Sequence, residues 1–237
     1  MSTQGQKVAV ITGASQGIGA GLVTAYRKLG YAVVATSRTI APSDDAAVLT
    51  IQGDIAEPAT AERVVGQAIE RFGRIDTLVN NAGLFIAKPF TDYTDEDFDS
   101  LVAVNLAGFF RITQRVIPHM LDQSGGHIVN ITTSLVDHAN ANLLSVLASL
   151  TKGGLQSAIK SLANEYAGRG IRTNAVAPGI IKTPMHPAEH HEFLGGLHPV
   201  GHMGEISDVV DAVIYLENAP FVTGETLHVD GGQTAGH

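Results

Sequence analysis

Short, almost continuously apolar runs alternate along the chain with longer segments in which apolar residues recur every three or four positions. The short runs are typical of strands buried on both faces, and the longer segments are typical of amphipathic helices. The predicted strands are 7–12, 31–36, 48–52, 76–80, 127–131, 172–177 and 226–229, and the predicted helices are 22–30, 59–73, 95–121, 143–168 and 206–218. This order predicts an α/β fold in which a doubly wound parallel sheet carries helices on both faces.

The stretch 179–204 interrupts this alternation. It contains five glycines, three prolines and five histidines. Long loops inside a compact domain are usually functional, so we predict that this one lies over a site. We expect its histidines at the surface, and their irregular spacing matches no metal-binding pattern. They are His186, His190, His191, His198 and His202. No linker rich in proline or serine divides the chain, so we predict one domain over 1–237.

The composition narrows the class of protein. With 237 residues, of which 44% are hydrophobic and 16% charged, the chain is expected to bury a sizeable core. No apolar stretch reaches the roughly 18 residues that span a membrane, and no signal peptide is evident, so we expect a cytoplasmic protein without a membrane partner. The formal charge of −8 repels the phosphates of nucleic acid. Without cysteine, the chain has no disulfides or thiolate metal ligands.

A glycine-rich turn joins the first predicted strand to the first helix. Gly13, Gly17 and Gly19 in "TGASQGIG" have the spacing G-x3-G-x-G. The start of a helix has free N–H groups and the positive end of the helix dipole, and both favour a phosphate. Glycine allows the sharp turn and the close approach of the backbone. We therefore predict a pyrophosphate-binding turn, with a tight turn that binds nothing as the alternative.

Residues at the ends of the second and third predicted strands indicate which dinucleotide binds. Ser37 and Arg38 stand where a carboxylate would bond the ribose 2′-hydroxyl of NAD. A hydroxyl and a guanidinium suit a 2′-phosphate instead, so NADP(H) is favoured over NAD(H), and a solvated surface arginine is the alternative. Asp54 is placed to accept a hydrogen bond from the adenine amino group, although Gly-Asp is also an ordinary turn.

A series of further motifs follows in order along the chain. They are "TGASQGIG" at 12–19, "NNAG" at 80–83, "VNL" at 104–106, "IVNI" at 128–131, a lysine at 152, "IRTNAVAPG" at 171–179 and "TGETLHVDGG" at 223–232. Through them the chain resembles the short-chain dehydrogenase/reductase family over nearly its whole length. The resemblance implies a single Rossmann-type domain, a nicotinamide cofactor, a small carbonyl or alcohol substrate and a homo-oligomer, dimer or tetramer, built through the helices 95–121 and 143–168. It also implies that 180–204 covers the substrate.

The turn, the strand ends and the resemblance together predict the cofactor site. Its residues are Gly13, Ser15, Gln16, Gly17, Ile18, Gly19, Ser37, Arg38, Asp54, Ile55, Asn81, Ala82, Gly83, Lys152, Pro178, Gly179, Ile181 and Thr183.

The resemblance also implies catalytic residues, which in the family are Asn, Ser, Tyr and Lys. Lys152 matches the lysine, which in the family holds the nicotinamide ribose and lowers the pKa of the tyrosine. Asn105 matches the asparagine, which holds a water in the proton relay. Counting from the strand 127–131 places Thr133 at the serine position, whereas counting back from the helix favours Ser134. Either hydroxyl is able to bind a carbonyl oxygen.

Ala148 stands four residues before Lys152, where the family has its tyrosine. A methyl group has no proton to give, and losing a general acid costs on the order of 10²- to 10⁴-fold in rate. Three substitutes are open, namely His138, His186 and a water held by Lys152 and Asn105. Two hypotheses follow: an NADP(H)-dependent oxidoreductase with a non-standard proton donor, or a catalytically impaired protein that binds a dinucleotide or senses its redox state. We favour the oxidoreductase, because Asn105 and Lys152 would have little to do in a protein that only binds.

Overall fold

The computed structural model describes residues 5–236 and contains a seven-stranded, wholly parallel sheet in the order β3-β2-β1-β4-β5-β6-β7. The strands are β1 (Val8–Thr12), β2 (Ala32–Ser37), β3 (Val48–Gln52), β4 (Thr77–Asn80), β5 (Gly126–Ile131), β6 (Ile171–Pro178) and β7 (Thr226–Val229). The strand order reverses between β1 and β4, which opens a crevice at the carboxyl ends of these strands. The predicted doubly wound parallel fold is confirmed.

Helices cover both faces of the sheet. They are α1 (Gly17–Lys28), α2 (Pro58–Phe72), α3 (Asp95–Leu101), α4 (Phe109–Asp122), α5 (Val146–Tyr166), α6 (His191–Gly195) and α7 (Ile206–Asn218). One apolar core lies between the sheet and α2 and α4, and a second lies between the sheet and α1 and α7. The central strands β1, β2, β4, β5 and β6 are buried on both sides, which is why they are nearly continuous apolar runs, whereas the edge strands β3 and β7 are partly exposed. No helix within residues 5–236 is long and apolar enough to cross a membrane.

The helical segment predicted over 95–121 is less regular than its pattern indicates. A π-helix, Val102–Gly108, separates α3 from α4 and has Asn105 at its centre. A π turn holds one more residue than an α turn, and such turns often lie at functional sites. The period of apolar residues does not reveal the change, because the pattern continues on both sides of it.

A buried polar cluster lies at the amino ends of the strands, opposite the crevice. Its centre is the Glu217 carboxylate near the end of α7, which accepts four hydrogen bonds of 2.9 to 3.1 Å from the side chains of Tyr26, Tyr31, Thr77 and His127. Burial by itself opposes the charged form, but the hydrogen bonds and the His127 interaction outweigh it, and the pKa of Glu217 falls to about 2.

Candidate functional site

A cleft of about 690 Å³ lies at the carboxyl ends of the strands. Its walls come from the turn after β1, the ends of β2 to β6 and the segment 180–204. Of the residues predicted for cofactor binding and catalysis, all line this cleft except Gly19 and Asn105. The fold therefore brings together residues that lie far apart in the sequence.

The glycine turn has the geometry that a pyrophosphate requires. Gly13 and Gly17 have φ of +66° and +57°, a region that side chains disfavour. A Cβ on Gly19 would lie 2.2 Å from the Gly13 carbonyl oxygen, so only glycine lets α1 start this close to the turn. Gly19 thus shapes the turn from behind it. The helix start that it exposes fits a phosphate group.

The turn is held by the loop after β4. The Thr12 hydroxyl oxygen accepts from the backbone N–H groups of Asn81 and Ala82, each at 3.0 Å. The Asn81 side-chain amide donates to the carbonyl oxygens of Thr12 at 2.9 Å and Gly13 at 3.1 Å. Both amide protons of Asn81 are therefore used within the protein, and its contribution to the cleft is to fix the glycine turn.

At the end formed by β2 and β3, the predicted residues surround an open part of the cleft. Arg38 is exposed, and its guanidinium has no hydrogen bond or ion pair within residues 5–236. The Ser37 hydroxyl oxygen accepts weakly from Thr39 N–H at 3.3 Å. Asp54 accepts from Ala56 N–H at 2.9 Å in a short turn, which leaves its second carboxylate oxygen available.

At the other end, Lys152 crosses from α5 towards the end of β5. Its ammonium donates to the Ile131 carbonyl oxygen at 2.7 Å, and a Cβ on Gly83 would lie 2.9 Å from its Nζ. Lys152 is only 8% exposed, and burial lowers its pKa to about 8. Ala148, one turn earlier, also lines this end, and no tyrosine within residues 5–236 lines the cleft.

The structure distinguishes the two candidate hydroxyls. Ser134 is 1% exposed and donates to Gln233 Oε1 at 2.8 Å. Thr133 is half-buried, and its hydroxyl oxygen accepts from Leu135 N–H at 3.3 Å. The Thr133 proton has no acceptor among the described residues, so it is the hydroxyl with a free donor at the cleft.

Asn105 acts from behind the cleft. Its Oδ1 accepts from Leu84 N–H at 2.9 Å, and its Nδ2 donates to the Leu84 carbonyl oxygen at 3.1 Å and the Thr151 hydroxyl at 3.0 Å. Both amide protons are therefore occupied by protein groups. The π-helix holds Asn105 where it links the segment after Gly83 to α5.

The expectation of surface exposure is wrong for His198, which is 3% exposed. Its Nε2 accepts from Ile180 N–H at 3.0 Å, and its Nδ1 donates to the Leu194 carbonyl oxygen at 3.1 Å. The segment 180–204 folds back on itself around Ile180, Leu194 and Met203. Backbone groups buried in this way need hydrogen-bond partners, and His198 supplies two of them.

Of the two histidines considered as proton donors, only one reaches the cleft. His186 lines it together with His190, whereas His138 is not among the lining residues. His186 is half-buried, and burial lowers its pKa, helped by the neighbouring His191 and His190. Within residues 5–236, no three metal-ligating side chains cluster as a metal site would require.

Gln233 is a cleft residue that sequence reasoning missed. It lies just after the turn that follows β7, and it is 5% exposed. Besides accepting from Ser134, it donates to the Leu197 carbonyl oxygen at 3.1 Å. Gln233 follows directly after the motif 223–232. The last two glycines of this motif form the turn that returns the chain to the cleft, and that turn was the available signal.

Known proteins are similar to this chain over nearly its whole length. The family model described as enoyl-(acyl carrier protein) reductase matches residues 13–234. The 3-oxoacyl-(acyl-carrier-protein) reductase FabG of Thermotoga maritima is 34% identical, over 95% of this chain and 97% of that protein. The 2-(R)-hydroxypropyl-CoM dehydrogenase of Xanthobacter autotrophicus is 35% identical, over 97% of this chain and 99% of that protein.

Solved structures agree with the fold. ElxO with NADP bound has a TM-score of 0.90 and 30% identity, covering 98% of this chain and 100% of that chain. The 3-ketoacyl-(acyl-carrier-protein) reductase from Brucella melitensis complexed with NADH has a TM-score of 0.89 and 31% identity, with the same coverage. The fold and the cleft therefore define an oxidoreductase of the Rossmann type. The chain belongs to the short-chain dehydrogenase/reductase family.

Proposed function

We propose that the protein is an NADP(H)-dependent oxidoreductase that transfers a hydride to or from a small carbonyl or alcohol. The observation that carries the proposal is the buried ammonium of Lys152 at the cleft, beside Gly83 and on the same wall as Thr133. Burial of an ammonium without a carboxylate partner opposes folding, so a functional role explains its position best. When bound, the nicotinamide ring supplies or accepts the hydride.

The described residues have separable roles in this proposal. The turn with Gly13 and Gly17 binds the pyrophosphate, and Lys152 holds the nicotinamide ribose. The nicotinamide amide is held by the end of β6 and the segment after it, which contribute Pro178, Gly179, Ile181 and Thr183. Thr133 binds the substrate oxygen with its free donor, and the segment 180–204 covers the substrate. Relatives solved with NADP and with NADH support the class of cofactor.

The test is NADPH binding followed by turnover. We expect NADPH fluorescence to change on titration with the protein, and NADPH to be oxidised with at least one compound of a panel of aldehydes, ketones and quinones. Deuterium should be transferred from only one face of labelled NADPH, because a bound ring presents one face to the substrate. Binding without turnover of any compound would favour the alternative, a dinucleotide-binding or redox-sensing protein.

Cofactor preference tests Arg38 directly. In Arg38→Asp, the ratio of kcat/KM for NADPH to that for NADH is expected to fall by on the order of 10²-fold, because charge-assisted bonds to the 2′-phosphate are replaced by repulsion. Lys28→Asp makes the same change of charge at an exposed position of α1 and should leave the ratio within about twofold. An unchanged ratio in Arg38→Asp would show that Arg38 does not contact the phosphate.

We also propose a homo-oligomer, dimer or tetramer, formed through α4 and α5. Both helices present large apolar side chains to the surface, with Phe110 57% exposed on α4 and Leu150 58% exposed on α5. Large apolar side chains exposed on both helices support a contact with a second copy through these helices. The cytoplasm remains the compartment that the sequence predicts.

A further inference from the structure

Most side chains near Lys152 that carry a hydrogen-bond donor already donate to an acceptor within the protein. Ser134 donates to Gln233 at 2.8 Å. Asn105 uses both amide protons, and the Thr151 hydroxyl donates to the Leu147 carbonyl oxygen at 2.9 Å. A proton held in this way is not free for a substrate oxygen.

The groups that remain are weak substitutes for a phenol. The Thr133 hydroxyl binds an oxygen but is far too weak an acid to protonate it. The Lys152 ammonium donates one of its three protons to the Ile131 carbonyl oxygen, and in the proposed function the other two hold the nicotinamide ribose. His186 belongs to the covering segment, and burial, with the neighbouring His191 and His190, lowers its pKa and so disfavours the protonated form that could give up a proton. His190 is exposed on the covering segment.

Apolar side chains line the cleft together with Ala148. They include Leu135, Leu143, Ile180 and Leu194, of which Leu143, Ile180 and Leu194 pack against one another. The other formally charged residues of the cleft within the described chain, Arg38 and Asp54, follow β2 and β3 on the far side of β1. This end therefore suits an uncharged, largely apolar molecule with an oxygen directed at Thr133, on the wall that also holds Lys152.

We propose that the substrate is a quinone, which the protein reduces to a hydroquinone; this inference rests on the proposed function. Hydride addition to a simple ketone makes an alkoxide, a strong base that needs a proton donor in the transition state. Hydride addition to a quinone makes a hydroquinone anion whose charge spreads into an aromatic ring. A phenol of this kind has a pKa of about 10. Its anion is therefore a weak base, which does not need to be protonated during hydride transfer and takes up a proton afterwards.

The reaction balances without a protein acid. The quinone gains a hydride, which is one proton and two electrons, from bound NADPH, which becomes NADP+. The resulting hydroquinone anion then takes one proton from water. Lys152 stabilises the anion by charge, and Thr133 donates a hydrogen bond to its oxygen. No other oxidant or reductant is needed.

A matched pair of bicyclic compounds tests the proposal. With 1,4-naphthoquinone, kcat/KM is expected to exceed that with 1-tetralone by on the order of 10²-fold or more, after subtraction of the uncatalysed rate. Ala148→Tyr supplies a phenol and should narrow this ratio by on the order of 10²-fold relative to Ala148→Phe, which adds the ring without the hydroxyl. Equal rates for both compounds in the unaltered protein, or the same ratio in both variants, would overturn the proposal.

A binding measurement needs no turnover and no cofactor. 1-Naphthol resembles the product, and we expect calorimetry to show binding that weakens about tenfold in Lys152→Ala, since one charge-assisted hydrogen bond is lost. No binding by the unaltered protein, or equal binding by both, would contradict the proposal even if Ala148→Tyr does not fold. If 1-tetralone is reduced as fast as the quinone, only the inference about quinones fails. If NADPH binds but neither these two compounds nor any other compound of the panel is reduced, the proposed function fails as well.

Discussion

Replacing Lys152 with alanine is expected to lower kcat/KM by on the order of 10²- to 10³-fold, the usual cost of removing one group that stabilises charge in a transition state. The ammonium lies beside Gly83 and on the same wall as Thr133, and no second cation within the described residues lines this end of the cleft. The measurement is the steady-state oxidation of NADPH with any compound that is turned over. Lys160→Ala, which removes an exposed lysine two turns along α5, should stay within about twofold.

The pH dependence follows from the same side chain. The pKa of Lys152 is about 8, so the active ammonium is present at pH 7, and kcat/KM should fall as pH rises through about 8. Lys152→Arg keeps a positive charge at all these pH values, so its residual activity should show no such decrease. If kcat/KM decreases with pH in the same way in the unaltered protein and in Lys152→Arg, another group is responsible for the titration.

Measurements of stability distinguish a functional role of Lys152 from a structural one. The folded state lowers the pKa of Lys152, so at pH 7 the buried ammonium opposes folding, and stability should rise as pH increases from about 8 to 10.5. Lys152→Ala is therefore expected to unfold at the same or a higher temperature than the unaltered protein. A marked drop in Tm, together with the loss of activity, would indicate that Lys152 mainly supports the fold.

The second prediction with a large effect concerns the stability of the fold and a residue far from the cleft, Glu217. Glu217→Ala is expected to reduce the free energy of unfolding by about 3–5 kcal/mol, because four buried donors lose their acceptor. Asp211→Ala removes an exposed carboxylate from the same helix and should change stability by less than about 0.5 kcal/mol. Urea denaturation at pH 7 measures both, and a loss below about 1 kcal/mol for Glu217→Ala would contradict the role of this cluster.

This cluster also predicts sensitivity to acid. The pKa of Glu217 is lower in the folded state than its ordinary 4.5, so its contribution is complete above that pH and is lost as pH falls towards about 2. Burial lowers the pKa of His127, so stability also begins to fall below its ordinary value of 6.5. In Glu217→Gln, the loss of stability between pH 4.5 and 2 should be smaller than in the unaltered protein.

Much of the fold was predictable because its signals are local. Buried parallel strands are continuous apolar runs, and the glycines after β1 are required by positive φ at Gly13 and Gly17 and by close packing at Gly19. The π-helix around Asn105 was not predictable, since the apolar pattern continues through it. The burial of His198 was missed for a related reason: a histidine in a glycine-rich loop has no local signal that the loop folds back on itself.

The residues of the candidate site were predictable from the sequence, but the hydrogen bonds between them were not. The motifs indicated Thr133 and Ser134 equally, and only the contact with Gln233, 99 positions further along the chain, shows that the Ser134 proton is committed. The motifs also indicated Asn105 without showing that both its amide protons are used. His138 and His186 looked alike as substitutes for the missing tyrosine until the fold brought only His186 to the cleft.

The order of apolar and glycine-rich segments by itself determined the parallel sheet and the glycine turn after β1, and the spacing from Lys152 identified Ala148 at the tyrosine position, because these depend on residue type and short-range spacing. Only the tertiary structure decided which protons are free and how deeply Lys152 is buried. Hydrogen-bond partners and desolvation come from residues that are distant in sequence. The pattern of neighbouring residues therefore does not predict them.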